Sequence, residues 1–213
     1  MGCKNEAHPP VSWGAMVSIQ QYAILIALFC SIVAIILSIH LIYCHLKNYT
    51  CPQEQKHIVR ILVMVIIYST DSWCSLWFNS LSVYFDTARD MYESVVLWEF
   101  FALLMTYLGG EENVVNLMSE KEPIQHPPPL CCIPPFVPSR RFLVRCKQMI
   151  LQYVLVMPCC AMLTFILETF GVYCEGEFSL SRGYIYITSI INVSVTLSLY
   201  FLILFYLTME EDL

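Results

Sequence analysis

Five long hydrophobic segments alternate along the chain with shorter polar stretches. Each segment is close to the ~20 residues with which an α-helix crosses the hydrocarbon core of a bilayer. Because backbone N–H and C=O groups in lipid must be satisfied within their own segment, all five are predicted to be helices. They cover residues 22–43, 58–78, 91–108, 148–167 and 183–209. The pattern therefore predicts an all-α fold, a polytopic transmembrane helix bundle with five spans that forms one membrane domain.

The composition agrees with this class and argues against several others. Of the 213 residues, 58% are hydrophobic and 13% are charged, which is outside the range of ordinary soluble domains. The formal net charge of −6 argues against a nucleic-acid partner, because phosphates are bound by basic surfaces. The chain has no H-E-x-x-H, G-x-S-x-G or glycine-rich phosphate motif, so it is not predicted to be an enzyme. Its 11 cysteines include no C-x-x-C pair, and no metal or cofactor site is predicted.

The basic residues predict how the bundle is oriented. Lys and Arg concentrate in the segments that precede the second and fourth spans, as Lys47, Lys56, Arg60, Lys121, Arg140, Arg141, Arg145 and Lys147. Because positively charged loops stay in the cytosol, these segments are predicted to be cytosolic and the N-terminus is predicted to lie outside. The expected location is the plasma membrane or an endomembrane, with the lipid bilayer as the surrounding partner.

Two carboxylates lie inside predicted spans, Asp71 in the second and Glu99 in the third. A charged side chain at that depth costs ~2.5 kcal/mol or more unless it faces protein or water. Both are therefore expected to face a shared polar interior between the helices.

The stretch between those two spans, residues 86–93, is predicted to be a charged hinge. In one interpretation Asp86 or Thr87 caps the third helix and Arg89 pairs with Glu93. In the other, Arg89 contacts an anionic solute at the outer mouth of a cavity.

Other polar side chains follow helical spacing. One stripe on the second span consists of Tyr68, Asp71, Ser72, Ser75 and Asn79, and one on the fifth span consists of Tyr186, Ser189, Asn192, Thr196 and Tyr200. Residues three and four apart share a helix face, so the stripes predict a solute cavity between the second, third and fifth spans. The alternative is that these groups hold the helices together. The candidate cavity residues are Asp71, Glu99, Arg89, Tyr68, Ser75, Asn192 and Tyr200.

The predicted cytosolic loop, residues 109–147, is rich in proline and cysteine. Its proline-dense part cannot form a helix and is expected to be extended. Cys131 and Cys132 are candidates for S-palmitoylation, and the alternative is unmodified thiols of the reducing cytosol. On the outer side, Cys3 and Cys174 are candidates for a disulfide.

At these residues the chain resembles the organic solute transporter alpha family and its relatives, the transmembrane protein 184 proteins. The matching stretches are HLKNYTCPQEQKHIVRIL, IIYSTDSWCSL, YFDTARDMYE, YLGGE, CCIPP, CKQMILQYVLVMP, GVYCEGEF and GYIYI. The resemblance is closer to the transmembrane protein 184 branch. It implies seven helices with the N-terminus outside, so this chain is expected to end two helices short of the family pattern. It also departs from the pattern at Trp98-Glu99, where a polar amide is expected.

In the transporter branch the resemblance implies movement of steroid- or bile-acid-like organic anions, a single-span partner subunit and an acylated cysteine-rich segment. The predicted function is transport of organic solutes, by the chain with such a partner or as a homo-oligomer. The alternative is a membrane receptor, trafficking or signalling scaffold that acts through the Pro/Cys-rich loop.

Overall fold

Six α-helices make up most of the protein. The computed structural model describes residues 13–78, 81–127, 132 and 134–213. The helices are α1 Trp13–Lys47, α2 Pro52–Trp77, α3 Ser82–Tyr107, α4 Glu111–Glu120, α5 Arg140–Thr169 and α6 Gly183–Met209. Outside the helices, the described part of the chain has one isolated β-bridge, between Ile124 and Phe136. The predicted all-α, polytopic bundle is confirmed.

Four helices are each long and apolar enough to cross a membrane, namely α1, α2, α5 and α6. The helices α3 and α4 reach this standard only together, as a pair bent by 71°. Gly109 and Gly110 make the bend with φ angles of 80° and 92°, a region that side chains with a Cβ rarely adopt. The described residues therefore contain four spans, or five if the bent pair is one span.

The charged stretch 86–93 is helical, and the prediction of a hinge there is wrong. The helix α3 begins at Ser82, and its N-cap is Leu81, which makes no side-chain capping bond. Thr87 donates its hydroxyl to the carbonyl of Val83, four residues earlier in the same helix, at 2.6 Å. Helix α3 thus begins nine residues before the predicted span because ion pairs, described below, satisfy the charges without a loop.

The predicted cytosolic loop is also shorter than residues 109–147, since α4 and the first turns of α5 occupy both of its ends. Between them, Ile124 and Phe136 exchange two backbone hydrogen bonds of 2.9 and 3.1 Å. The two ends of the proline-rich segment are therefore held side by side.

The helices pack mainly as neighbours in a row, with α1 against α2, α2 against α3, α3 against α5, and α5 against α6. Phe101 of α3 also meets Phe205 of α6 edge to face, with ring centroids 4.9 Å apart. The largest apolar core lies at the α4 end of the bundle and consists of Phe101, Leu104, Met105, Leu108, Val114, Met118, Phe142, Leu143, Cys146, Ile150, Leu202, Leu204, Phe205 and Met209. At the edge of the row, α1 exposes most of its hydrophobic side chains, as expected for a helix that faces lipid.

The turn between α5 and α6 closes the opposite end of the bundle. Burial raises the pKa of Tyr173 to about 12, and its ring packs edge to face on Tyr184 with centroids 5.7 Å apart. Cys174 is disulfide-bonded. The predicted partner, Cys3, lies outside the described residues, so that pairing stays a prediction.

Candidate functional site

Two polar clusters connect α2 to α3, and each contains one of the two predicted intramembrane carboxylates. We call the first the outer cluster, because it lies nearer the end of the bundle that is predicted to face outside. Its members are Tyr68, Asp71, Asp86, Arg89, Asp90 and Glu93. The four charged residues of α3 fall at helical spacing, so they share the face that packs on α2.

Arg89 is the centre of the outer cluster. Its Nη1 donates to Asp71 Oδ2 of α2 at 2.9 Å and to Asp86 Oδ1 at 2.8 Å. Its Nε and Nη2 donate to Asp90 Oδ1 at 3.2 and 3.1 Å. A single guanidinium is thus shared by three carboxylates.

Tyr68 covers one side of this arrangement. Its hydroxyl donates to Glu93 Oε2, and the Arg89 guanidinium lies over its ring, 5.4 Å from the centroid. The predicted pairing of Arg89 with Glu93 is wrong, because Glu93 binds Tyr68 and Arg89 binds the three aspartates. The outer cluster therefore has four carboxylates and one guanidinium.

The inner cluster consists of His57, Arg60 and Glu99. Glu99 is 6% exposed, and its two oxygens have separate partners. His57 Nδ1 lies 2.5 Å from Oε2, and Arg60 Nη1 donates to Oε1 at 2.7 Å. The Tyr92 hydroxyl donates to the Arg60 carbonyl at 2.7 Å, which adds a further link between α2 and α3.

The structure does not bring Asp71 and Glu99 into one pocket. The positions on α2 of Asp71 and of Arg60, the partner of Glu99, show this. Arg60 and Asp71 lie three turns apart on α2, roughly 16 Å at ~1.5 Å per residue. Each carboxylate instead pairs with an arginine of the neighbouring helix at its own depth, Glu99 with Arg60 and Asp71 with Arg89.

A cavity of about 380 Å³ lies beside the outer cluster, between α2 and α3. Its lining is Ile66, Ile67, Thr70, Asp71, Cys74, Phe85, Ala88, Arg89 and Tyr92. Apolar side chains thus surround one charged pair. A volume of this size falls within the range of small-molecule sites, about 300–1,000 Å³.

Among the described residues, two buried oxygens at this level have no hydrogen-bond partner. They are Asp71 Oδ1 and Ser75 Oγ, and they belong to residues one turn apart on α2. Buried polar atoms are usually paired. The unpaired carboxylate oxygen in the cavity wall could therefore accept a hydrogen bond from a ligand after a small conformational change.

Comparison with known protein families gives a match over most of the chain. The family model described as organic solute transporter Ostalpha matches residues 23–213. The chain belongs to this family. The match includes α2 to α6 in full, and with them both clusters and the cavity. No solved structure matches the chain.

Membership of the Ostalpha family confirms the predicted resemblance and makes the protein an integral, multi-pass membrane protein of a solute-transporter family. The helices that carry the outer cluster are therefore in a protein whose relatives are defined by solute movement. Within the described residues, no group of three or more His, Cys, Asp or Glu side chains is arranged to hold a metal ion.

The two predicted site residues of α6 do not line the cavity at Asp71. Asn192 donates its amide to the carbonyl of Thr188 in its own helix, at 2.8 Å. The Tyr200 hydroxyl lies 2.5 Å from His126 Nδ1, on the segment between α4 and α5. Helix α6 packs on α5, so its polar stripe lies away from the α2–α3 interface.

Sequence reasoning missed His57 as a partner of Glu99 and used Arg60 only to orient the bundle. The signal was present: two basic residues, three apart, stand at the start of the second span, and a carboxylate lies in the middle of the third. Of the two candidate acylation sites, Cys131 lies outside the described residues. Cys132 is an exposed free thiol, and its acylation stays a prediction.

Proposed function

We propose that the protein moves amphipathic organic solutes across the membrane and that the α2–α3 cavity is part of their path. Steroid- or bile-acid-like molecules are the proposed class. The observation that carries this proposal is the lining of the cavity, in which Ile66, Ile67 and Phe85 surround the Asp71–Arg89 pair. A rigid solute with an apolar body and one polar end matches this lining, since its body can contact the apolar side chains and its polar end the charged pair.

The charges of the outer cluster suggest how a solute would be held. An anionic solute has to compete with carboxylates for Arg89, because within the described residues Asp71, Asp86 and Asp90 accept four of the five N–H groups of its guanidinium. A solute hydroxyl, by contrast, can donate to the buried Asp71 Oδ1 once a small side-chain movement exposes that oxygen to the cavity. Competition of this kind gives weak binding, and weak binding suits a carrier that must release what it takes up.

Filling the cavity tests the proposal with little change to the charged cluster. Ala88 lines the cavity, whereas Val95 of the same helix is exposed on the bundle surface. We expect Ala88→Trp to abolish uptake of a labelled steroid sulfate in expressing cells, and Val95→Trp to leave it unchanged. Surface amounts are measured by biotinylation. Unchanged uptake by Ala88→Trp at normal surface amount would mean that the cavity is not on the solute path.

The single-span partner subunit and the homo-oligomer remain the two assemblies that we propose for this activity. Co-purification of two differently tagged copies of the chain from the same cell distinguishes them. Recovery of both tags together supports the homo-oligomer, and recovery of one tag with a small second polypeptide supports the partner subunit.

A scaffold function is the second candidate, and the Ile124–Phe136 bridge favours it. Two backbone hydrogen bonds hold Ile124 and Phe136, the two ends of the Pro/Cys-rich segment, next to each other. Replacing residues 127–135 by a neutral linker keeps the bridge residues. Loss of localisation or of a captured partner, with uptake intact, supports the scaffold; intact localisation and partner capture would count against it.

A further inference from the structure

Three cavities lie along the surfaces of α5 and α6, on residues that take no part in the outer or inner cluster, and together they outline a groove. Its α5 wall consists of Arg141, Arg145, Gln148, Gln152 and Val156, and its α6 wall consists of Ile190, Val193, Leu197, Phe201 and Leu204. Successive residues in each set are three or four apart, so each set lies on one face of its helix. We call this feature the α5–α6 groove.

The end of the groove near the start of α5 is basic. Arg141 and Arg145 are exposed there and line two adjoining cavities of about 350 and 540 Å³. Within the described ranges, neither forms an ion pair with a carboxylate, whereas Lys147 nearby binds Glu111. Two guanidinium groups one turn apart thus have their hydrogen-bond donors available to a ligand.

The rest of the groove is apolar. Val193 is 62% exposed and Ile190 is 49% exposed, and both line a cavity of about 390 Å³. The polar groups in its wall are already satisfied, since Gln152 and Ser194 exchange hydrogen bonds of 2.9 Å across the two helices. This part of the groove therefore offers hydrocarbon contacts rather than hydrogen bonds.

The dimensions match a lipid. From Arg141 to Val156 the α5 wall is roughly 22 Å long at ~1.5 Å per residue. One leaflet contributes about 15 Å, half of the ~30 Å hydrocarbon core. A groove that begins with two arginines and continues as an apolar channel is complementary to an anionic headgroup followed by an acyl chain.

We propose that the α5–α6 groove binds one anionic phospholipid of the surrounding bilayer. Its phosphate contacts Arg141 and Arg145, and an acyl chain lies against Leu197, Val193 and Ile190. Basic residues near a membrane surface attract anionic lipids in general. Here the apolar lining at Ile190, Val193 and Leu197 adds a requirement for an acyl chain, which a surface patch would not have. The proposal does not rest on the transport function, because the α2–α3 cavity is lined by other helices.

Thermal unfolding of the purified full chain in an uncharged detergent tests this. Titration with dioleoylphosphatidylglycerol is expected to raise the melting temperature in a saturable manner. Dioleoylphosphatidylcholine and soluble glycerol 3-phosphate are expected to produce no such rise. An equal rise with phosphatidylcholine would show that charge is not recognised. An equal rise with glycerol 3-phosphate would show a headgroup site without a lipid groove, and either result overturns the proposal.

Variants assign the effect to the groove. Removal of one phosphate-contacting arginine is expected to weaken apparent affinity about fivefold, so Arg141→Gln with Arg145→Gln should weaken it more than tenfold. Arg141→Lys with Arg145→Lys keeps both positive charges and should retain part of the affinity that the double glutamine variant loses. Lys56→Gln removes an exposed cation on the same predicted side and should have no effect. Leu197→Trp should fill the channel and weaken binding of the long-chain lipid. Unchanged affinity in the double glutamine variant would overturn the assignment.

Discussion

The outer and inner clusters both join α2 to α3 through carboxylates and basic side chains. Carboxylates are in excess in the outer cluster, and basic side chains are in excess in the inner cluster. In the inner cluster one carboxylate, Glu99, is divided between two nitrogen-bearing side chains. In the outer cluster one guanidinium, Arg89, is divided among three carboxylates. Each oxygen of Glu99 has a partner, whereas Asp71 retains an unpaired oxygen. The inner cluster is a complete link between helices, and the outer cluster has a vacant acceptor beside a cavity.

This contrast separates two roles that buried charges have in membrane bundles. A fully paired charge fixes the register of two helices and has no capacity for a ligand. An incompletely paired buried charge is costly to leave unsatisfied, so a ligand that supplies the missing partner gains free energy. We therefore propose that Glu99 sets the register of the helices and that Asp71 and Arg89 contact the solute, and four substitutions test that division.

Arg89→Gln is expected to have the largest effect. It leaves the buried Asp71 carboxylate without its cation and places Asp86 and Asp90 beside it unscreened. Breaking a buried pair from one side typically costs about 3–5 kcal/mol. A marked fall in the melting temperature of the purified protein should result. A second substitution, Asp71→Asn, should restore part of the loss because it removes the uncompensated charge, and no restoration would show that the two residues are not coupled.

Glu99→Gln is expected to have an intermediate effect on stability and none on transport. Glutamine keeps an acceptor for Arg60. The Arg60 side chain is 58% exposed, so its charge can also be solvated by water. The expected cost is therefore about 1–2 kcal/mol, that of weakened hydrogen bonds. Uptake per molecule at the cell surface should match that of the unchanged protein. A clear loss of uptake per molecule in Glu99→Gln would contradict the division of roles.

The fold was predictable from the sequence because each span is long, apolar and close to a bilayer thickness. The start of α3 was not, since a run such as Asp86-Thr87-Ala88-Arg89-Asp90 has the composition of a loop. It is helical because Asp71 of the preceding helix supplies a partner for Arg89, and that contact is between residues distant in sequence. Periodicity identifies which residues share a face but not which helix the face meets.

The same limit explains the candidate site. The carboxylates Asp71 and Glu99 were correctly expected to face protein rather than lipid, since both are 6% exposed. Their separation in depth depends on how far α2 and α3 overlap, which the hydrophobic pattern does not specify. Asn192 and Tyr200 were expected at the same cavity because their stripe resembles that of α2. They lie elsewhere because α6 packs mainly on α5.

Asp86→Asn is expected to change function more than stability. Asp86 is partly exposed, so loss of its ion pair should cost less than about 1 kcal/mol. The substitution removes the negative charge of Asp86 while keeping an acceptor oxygen, so an anionic solute competes more easily for the Arg89 Nη1 group. We expect the apparent affinity for a steroid sulfate to rise up to about fivefold, the equivalent of ~1 kcal/mol. Glu177→Gln removes one carboxylate from the same predicted side and is the control. An unchanged affinity in Asp86→Asn would indicate that the solute does not contact Arg89.

The smallest effect is expected at Glu111 and Lys147, a pair with the same chemistry that is in contact with water. The Glu111 side chain is 46% exposed, so both ions are solvated before and after the pair breaks. Glu111→Gln should therefore change the free energy of unfolding by at most about 1 kcal/mol, and salt should reduce even that. Melting temperatures at low and high ionic strength measure it. If this exposed pair proved as costly to break as Asp71–Arg89, burial would not explain the outer cluster. The contrast between the two clusters would then reflect hydrogen-bond count alone.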